Sequence, residues 1–502
     1  MGAHRPGRPP GDDEPHRGRR TGPGPHPPPR TRGDLTVCGI IAAAGLLDLA
    51  PAVAALTHRG PDSAAVVQEH GVTLGHTRLA IQDPEARSDQ PYRDGPVTLV
   101  YNGELFNAAR VRALVEAVDP RRTWSTTGDT EVVAAALRVL GPEAALPELD
   151  GMYGLAWTDA RRPGVLMAAR DRHGEVPLHV HRGAPLLVAS ELKAFRALGR
   201  RCGKAVVDVG PGEWWELYGP AVTRHAYHRL TARPRPTDPD QASADLAHAL
   251  ARAVDRRIIA DVPVCALLSG GVDSAAIALE LTRHHPDLTC YTARLDPRSR
   301  DLRCARETAD MLGVRLVEVD IPVPTADDLS TVIHHIEQPN KAQVEIGWAC
   351  LQLAAAIRAD GFRVTYSGEG SDELWASYGF AYHGLATSGW YAYRRDLIAA
   401  QAVKNFPRVN KAFLTHSVEG RLPFLDPDLV TLALSMPRDA VQDGPSRPKA
   451  VLQRAYTGRL PASVTSRPKV AFQDGLGLKT AIASALPNPL RYYRAEHTRL
   501  YG

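Results

Sequence analysis

The chain has 502 residues, of which 44% are hydrophobic and 23% are charged, a composition typical of globular proteins. Because one ordinary hydrophobic core rarely organises so long a chain, we expect two domains. The net charge of +4 comes largely from residues 1–36, which hold seven Arg and four acidic residues. The remainder is close to neutral and gives no reason to expect nucleic-acid binding. No apolar run reaches the length of a membrane span.

The first 36 residues are rich in Arg, Pro and Gly, a composition that supports neither a helix nor a core. We predict that residues 1–36 form a disordered tail that the mature protein lacks. The six Cys residues have neither metal-ligand nor disulfide-framework spacing. This pattern is typical of a protein of the reducing cytoplasm.

The rest of the chain divides by pattern. Residues 37–218 are predicted to form one domain of short strands and turns, and residues 219–240, rich in Arg and Pro, a linker. In residues 241–502 long helical patterns alternate with short apolar strands, which indicates parallel βα units. Particular strands are predicted at residues 97–101, 186–189, 262–268, 289–295, 315–319 and 363–367, and a helix at residues 130–140.

A Gly-rich loop, residues 269–274 (SGGVDS), follows the strand at 262–268 and precedes a helix predicted to begin near Ala275. The two Gly residues let the backbone turn tightly and approach a ligand. The helix then offers free N–H groups to a phosphate. Asp273 would hold Mg²⁺ rather than meet phosphate directly. A Gly-rich turn without a ligand is the alternative interpretation of this loop alone.

A second Gly-rich loop, residues 368–373 (GEGSDE), follows the strand at 363–367. In open parallel sheets, ligands bind beyond the carboxyl ends of the strands. Two such loops, each with an Asp, suit a shared site for Mg²⁺ and pyrophosphate, which favours ATP binding.

This pair of loops resembles the synthetase domain of asparagine synthetases, which belong to the ATP pyrophosphatases that form acyl-adenylates. Further matches are at residues 410–412, 419–426, 460–464, 467–469 and 474–475. The resemblance implies that Asp273 and Asp372 bind Mg²⁺ and that Lys469 offsets pyrophosphate charge in the transition state. It also implies ATP binding by Leu267, Ser269, Gly270, Gly271, Asp273, Ser274, Ala293, Ser367 and Gly368.

The first half resembles the class II glutamine amidotransferases, beginning at residues 38–40 (CGI) and 58–62 (HRGPD). Further matches are at residues 75–79, 101–104, 127–129, 151–153, 169–171 and 189–193. The resemblance implies an α+β N-terminal-nucleophile domain of stacked antiparallel sheets, followed by the α/β parallel-sheet ATP pyrophosphatase domain.

In this family Cys38 would attack the side-chain amide of glutamine, and a free α-amino group would take the thiol proton. The Asn102 side chain and the Gly103 N–H would form the oxyanion hole. Arg78 would pair with the α-carboxylate of glutamine and Asp129 with its α-ammonium group. The resemblance adds Ile81 and Glu104 to the glutamine site.

Cys38 has an ordinary peptide bond on its N-terminal side in this sequence, so it lacks that amine. Residues 1–37 are removed, or translation starts at Val37, or the site is inactive. We favour a start at Val37, which stands where the family has its initiator Met.

The acceptor of the ammonia is the open question. Relatives that close a ring within one substrate carry Tyr at the position of Glu369, so this Glu favours ammonia as nucleophile, with Glu369 as its general base. An ungapped count places Glu345 where asparagine synthetases have an Arg, which questions an aspartate pocket. Ala376 and Ser377 replace two Gly of the family.

The sequence therefore predicts an ATP- and glutamine-dependent amide synthetase with ATP and Mg²⁺ as cofactors. Its substrates would be glutamine and a carboxylic acid that is activated as an acyl-AMP, with aspartate first and another small acid of a specialised pathway second. A non-catalytic ATP-binding relative and an intramolecular cyclase are the alternatives. We expect a cytoplasmic protein, with a homodimer as one possible assembly, and neither a nucleic-acid nor a membrane partner.

Overall fold

The computed structural model describes residues 38–60, 62–378, 381–444, 447–468 and 476–502. The predicted tail, Val37 and Lys469 lie outside the described residues, as do residues 474–475. Among the described helices, none is both long and apolar enough to cross a membrane.

Two six-stranded antiparallel sheets make up the first half. Sheet A has the strand order β10-β8-β9-β1-β3-β2, and sheet B has the order β12-β11-β7-β6-β5-β4. Their strands are β1 (Gly39–Ala43), β2 (Ser63–Glu69), β3 (Val72–Arg78), β4 (Tyr92–Asp94), β5 (Val97–Leu105), β6 (Gly151–Asp159), β7 (Leu166–Arg170), β8 (His179–His181), β9 (Leu187–Ala189), β10 (Val206–Asp208), β11 (Glu213–Tyr218) and β12 (Ala221–Ala226).

The two sheets stack face to face through apolar side chains such as Ile40 and Leu74 of sheet A and Val100 and Trp215 of sheet B. Helices cover the outer faces, with α1 and α5 against sheet A and α2 and α3 against sheet B. The helices are α1 (Ala50–Ala55), α2 (Ala108–Val118), α3 (Asp129–Leu140), α4 (Pro142–Ala145) and α5 (Leu192–Ala197). Four 3₁₀ turns span Thr57–Arg59, Ala86–Ser88, Leu146–Glu148 and Gly203–Ala205. The predicted stacked antiparallel sheets between helices are thus confirmed.

The second half is built on a five-stranded parallel sheet C with the order β15-β14-β13-β16-β17. Its strands are β13 (Val264–Leu267), β14 (Thr289–Arg294), β15 (Arg315–Asp320), β16 (Val364–Tyr366) and β17 (Glu419–Arg421). The predicted parallel sheet is confirmed. The short β17 was missed, because three residues without an apolar run give no strand signal.

Helices pack on both faces of sheet C. One face is covered mainly by α6, α7, α15 and α17, and the other by α9, α10 and α14. The helices are α6 (Pro239–Arg257), α7 (Val272–Leu281), α8 (Arg300–Leu312), α9 (Ala326–Ile336), α10 (Lys341–Ala359), α11 (Ser371–Trp375), α12 (Ala381–Ser388), α13 (Trp390–Gln401), α14 (Asn405–Leu414), α15 (Pro427–Ser435), α16 (Arg438–Val441), α17 (Ala450–Tyr456), α18 (Ala462–Thr465), α19 (Leu478–Ala485) and α20 (Pro489–Tyr501), with a 3₁₀ turn at Pro423–Leu425.

Two local predictions differ from the structure. The predicted linker at residues 219–240 contains β12, which pairs with β11 along its whole length and forms the edge of sheet B. The Arg and Pro residues that suggested a linker follow this strand, so the irregular segment is shorter than predicted. Helix α7 begins at Val272 rather than near Ala275, so Asp273 and Ser274 lie in its first turn.

Asp426 connects two helices of the second half, α15 and α6. Its fully buried carboxylate caps α15 by accepting from the N–H groups of Asp428 and Leu429, and it binds Arg256 and Arg257 of α6. Although burial opposes ionisation, the two guanidinium groups lower the pKa of Asp426.

Replacing Asp426 with Ala should lower the free energy of unfolding by about 3 kcal/mol, because it leaves the buried Arg257 guanidinium without its carboxylate and removes the helix cap. Urea unfolding followed by Trp fluorescence measures this. Asp428→Ala is the matched control: Asp428 also binds Arg256 but its side chain is 69% exposed, so the loss should stay below about 0.5 kcal/mol. Equal losses in the two variants would contradict this account.

Candidate functional site

The first candidate site is a cavity beside Cys38, the residue that precedes β1. The Cys38 thiol is half-buried, and its Sγ lies 3.4 Å from the backbone nitrogen of Leu79 and 3.7 Å from its carbonyl oxygen. Burial raises the pKa of Cys38 to about 12, so the thiol needs a base before it can act as a nucleophile. Of the predicted glutamine-site residues, the cavity is lined by Cys38, Arg78, Ile81, Gly103, Glu104 and Asp129.

Arg78, the last residue of β3, is fixed at the cavity wall. Its guanidinium donates to the carbonyl oxygens of Glu85, at 2.9 Å, and Asp83, and to the carboxylate of Asp89 at 2.8 Å. The side chain is buried, so these bonds set its direction. A fixed guanidinium in a small cavity suits a carboxylate ligand.

Three acidic side chains line the same cavity: Glu104, Asp129 and Glu419. Asp129, at the start of α3, accepts hydrogen bonds from the Leu105 N–H at 2.8 Å and the Tyr101 hydroxyl at 3.0 Å. Burial raises the pKa of Asp129 to about 6. Burial also raises the pKa of Glu104, against the pull of the Arg421 guanidinium. Buried carboxylates near a fixed guanidinium match the two charges of an amino-acid zwitterion.

Asn102 and Gly103 lie on β5 near the nucleophile: Asn102 contacts the main chain of Cys38, and Gly103 lines the same cavity. In the amide orientation that satisfies both neighbours, Asn102 donates to the carbonyl oxygen of Cys38 at 3.0 Å and accepts from Arg59 at 3.2 Å. At Gly103 a Cβ atom would lie 2.2 Å from the carbonyl oxygen of Met152. Only Gly fits there, and Gly103 lines the cavity.

The second candidate site lies at the carboxyl ends of β13 and β16. The loop after β13 folds back on itself, since the Ser269 N–H donates to the Ser274 hydroxyl at 3.0 Å. Gly270 has φ +76°, and a Cβ atom there would lie 2.1 Å from the carbonyl oxygen of Asp301. The turn thus requires Gly at this position.

Asp273 and Asp372 converge from the first turns of α7 and α11. The Lys449 ammonium lies 2.5 Å from both carboxylates. Burial alone would lower the pKa of Lys449, but the two carboxylates raise it. Ser371 donates to Asp273 and Ser377 to Asp372. Because the two carboxylates share one cation, they fit the way proteins bind Mg²⁺, with one or two carboxylates and the substrate phosphates.

Two adjoining cavities contain most of the predicted ATP residues. The larger, of about 140 Å³, is lined by Leu267, Ser269, Asp273, Ser274, Ala293, Ser367, Gly368, Glu369 and Asp372. The smaller, of about 80 Å³, is lined by Ser269, Gly271, Asp273, Lys449 and Arg467. Gly270 lies at the turn between them, where Arg467 donates to its carbonyl oxygen at 3.0 Å. Lys469, the predicted transition-state cation, lies outside the described residues.

Glu369 faces the larger cavity and is held by the buried Arg408 of α14, which also donates to Gln343 at 3.2 Å. Glu373 lies beside it and accepts from the Tyr378 hydroxyl at 2.6 Å and from Asn405 at 3.0 Å. Burial and the neighbouring carboxylates of Glu369 and Asp372 raise the pKa of Glu373 to about 7. This end of the cavity is therefore strongly polar.

The ungapped count puts Glu345 at the position that an Arg occupies in asparagine synthetases, and this questioned an aspartate pocket. In the structure, α10 turns Ile346, Cys350 and Leu353 toward the cavity. Glu345 itself is buried and paired with Lys341. Residues one position apart on a helix point about 100° apart, so a neighbour can line a cavity that Glu345 does not reach.

Sequence reasoning also missed Lys449 and Arg408. Each is a single basic residue outside any Gly-rich loop, and each reaches the site from a distant part of the chain. The matching stretch at residues 410–412 lay two residues beyond Arg408 and was the available signal for it.

Two known protein families match the two halves of the chain separately. A family model described as a glutamine amidotransferase domain matches residues 37–208. A second, described as asparagine synthase, matches residues 245–408 and 402–497.

The chain is also similar to whole proteins of this kind. It is 30% identical over 447 residues to asparagine synthetase B [glutamine-hydrolyzing] of Escherichia coli (strain K12), covering 84% of this chain and 78% of that protein. Asparagine synthetases [glutamine-hydrolyzing] of Triphysaria versicolor and Asparagus officinalis are each 30% identical, over 473 and 474 residues, covering 88% of this chain and 78% of each relative. The chain therefore belongs to the family of glutamine-hydrolysing asparagine synthetases.

Proposed function

We propose that this protein is a glutamine-dependent asparagine synthetase. It would release ammonia from glutamine at Cys38 and transfer it to aspartate that ATP has activated. The observation that carries this proposal is the presence of two sites in one chain. One is a small cavity beside a cysteine with Arg78 and Asp129 in its wall, and the other is a pair of Gly-rich loops whose aspartates converge on one cation.

At the first site, Arg78 would bind the α-carboxylate of glutamine, and Asp129 and Glu104 its α-ammonium group. The Cys38 thiolate then adds to the side-chain amide carbon. The Asn102 amide and the Gly103 N–H stabilise the oxyanion. The carbon–nitrogen bond breaks and ammonia leaves with a proton, and water hydrolyses the thioester to glutamate.

The base for this step is the α-amino group of Cys38 itself, in a chain that begins at Cys38 after removal of residue 37. The hydrogen bonds of its Sγ atom in the described part of the chain go to the main chain of Leu79, which is no proton acceptor at neutral pH. An α-amine with a pKa of about 8 is partly unprotonated at neutral pH, so it can take the thiol proton as the sulfur attacks the amide carbon.

At the second site, the side-chain carboxylate of aspartate would attack the α-phosphorus of ATP and pyrophosphate would leave. Asp273 and Asp372 would hold Mg²⁺, which supplies positive charge for the phosphates. Lys449 and Arg467 line the pyrophosphate side of the loop, and Lys469 would add a further cation. Fixed cations offset the charge that gathers during adenylation.

Glu369 would then accept a proton from ammonia as the nitrogen attacks the acyl carbon and AMP leaves. The buried Arg408 sets the direction of that carboxylate. Glu345 is paired with Lys341 and does not line the larger cavity, which supports aspartate as the acceptor. The polar group of Glu373, Tyr378 and Asn405 near Glu369 supports an amino-acid substrate over an apolar acid.

We expect the chain begun at Val37, with its first residue removed, to release pyrophosphate and form asparagine from ATP, Mg²⁺, aspartate and either glutamine or ammonia. Coupled pyrophosphate detection and amino-acid analysis measure this. Cys38→Ala should abolish the reaction with glutamine and retain that with ammonia, since only the first step needs the thiol. Turnover with another carboxylic acid and none with aspartate would overturn the assignment of the acceptor.

Glutamine binding should depend on pH through Asp129. Below a pKa of about 6 this carboxyl is protonated and no longer attracts the α-ammonium group, so binding should weaken about tenfold from pH 7 to pH 5. Calorimetric titration of the Cys38→Ala chain measures this without turnover. In Asp129→Asn the affinity should be low and much less dependent on pH. An affinity independent of pH in the Asp129 chain would contradict this role.

Gly270→Ala should lower ATP-dependent pyrophosphate release by about 100-fold or more, because the added Cβ displaces the loop against Asp301. Glutamine hydrolysis at Cys38 should persist. Gly313→Ala is the matched control, since Gly313 also has positive φ, +67°, but has open space around its Cα. Gly313→Ala should lose about 1 kcal/mol of stability and keep its activity. Equal losses of activity in the two variants would show that the contact with Asp301 is not the cause of the loss at Gly270.

A further inference from the structure

The glutamine-site loop depends on Asp83. The main-chain oxygen of Asp83 accepts from Arg78, and its carboxylate accepts from the Thr127 N–H at 2.8 Å, two residues before Asp129. Asp83 is buried and has φ +42°, a conformation that non-Gly residues rarely adopt. One strained residue thus contacts both the Arg78 guanidinium and the segment that leads to Asp129.

Asp83 is held in turn by the second half of the chain. Its N–H donates to the carboxylate of Asp261 at 3.1 Å, and the N–H of Asp261 donates to the carbonyl oxygen of Ile81 at 3.1 Å. Asp261 is exposed, so each bond is partly solvated. The two bonds nevertheless hold both Ile81 and Asp83 of the loop against Asp261.

Arg363 holds Ala80, the residue before Ile81. Its guanidinium donates to the carbonyl oxygen of Ala80 at 3.3 Å and lies 3.8 Å from the carboxylate of Asp62, which accepts from the Ala80 N–H at 2.8 Å. The Arg363 side chain is 13% exposed and that of Asp62 is 12% exposed. This contact is more protected from water than that of Asp261, and it should contribute more.

Both residues stand just before strands of sheet C. Asp261 lies three residues before β13, and Arg363 immediately precedes β16. Val264 of β13 pairs with Val364 of β16, so the two residues emerge side by side at the amino ends of neighbouring strands. The carboxyl ends of the same strands continue into the Gly-rich loops of the ATP site.

We propose that Asp261 and Arg363 are positioning residues for the glutamine site. They hold residues 80–83 in the conformation that directs Arg78 and Asp129 at the amino acid. The inference rests on the proposed function only in taking the cavity beside Cys38 as the glutamine site. It assigns part of the architecture of that site to the half of the chain that binds ATP.

The test is calorimetric titration of the full chain with L-glutamine in a Cys38→Ala background, where no turnover occurs. Arg363→Met should raise the Kd about tenfold and Asp261→Ala about threefold, in keeping with the loss of one charged and one solvated hydrogen bond. Asp261→Asn keeps an acceptor oxygen for the Asp83 N–H and should restore most of the affinity. Arg252→Met and Asp240→Ala, at exposed positions of α6, are the matched controls and should leave the Kd unchanged.

A second readout separates positioning from general damage. With Cys38 intact, ammonia-dependent pyrophosphate release should be the same in Arg363→Met and Asp261→Ala as in the parent chain. Unchanged glutamine affinity in both variants, or a parallel loss of the ammonia-dependent reaction, would overturn the inference. A Cys38→Ala chain that binds no glutamine would instead overturn the proposed function, and this inference with it.

Discussion

The arrangement of the two sites depends on the buried guanidinium of Arg59. It donates to the carbonyl oxygen of Cys38 at 3.0 Å, to the carboxylate of Glu191 at 2.6 Å, and to Asn410 of α14 at 2.9 Å. A buried cation is tolerated only when its donors are satisfied. Arg59 therefore fixes Cys38, Glu191 after β9, and helix α14 of the synthetase half relative to one another.

Charges of alternating sign extend this contact. Glu191 binds Lys193 at 2.5 Å, Lys193 lies 3.3 Å from Glu337, and Glu337 binds Lys411 at 2.5 Å. Although burial opposes ionisation, these cations lower the pKa of both Glu191 and Glu337. Loss of one of these residues would leave a buried charge without a partner. The two halves of the chain therefore have one favoured relative position. A reaction that passes ammonia between two sites needs such a fixed separation.

Most of this fold could be predicted from the sequence where local patterns carry it. Apolar runs followed by Gly-rich loops placed β13 and β16 and both nucleotide loops, because strand ends and phosphate-binding turns leave strong local signals. The interpretation failed where geometry decides. The ungapped count matched Glu345 to the family's Arg, whereas α10 turns Ile346 toward the cavity. The three-residue β17 exists because β16 pairs with it rather than through its own sequence.

Lys449 shows why the rest of the site was not predictable. The Gly-rich loops predict that two aspartates meet. Two carboxylates that lie so close together require a positive charge between them. The sequence therefore implies a cation, which Mg²⁺ would supply. That a lysine about 180 residues from Asp273 also reaches this position follows only from the packing of α17 against α6 and α7. In the proposed reaction the Lys449 ammonium would exchange the carboxylates for phosphate oxygens when Mg²⁺ and ATP bind. The charge that stabilises the pair of aspartates would then already lie beside the leaving group.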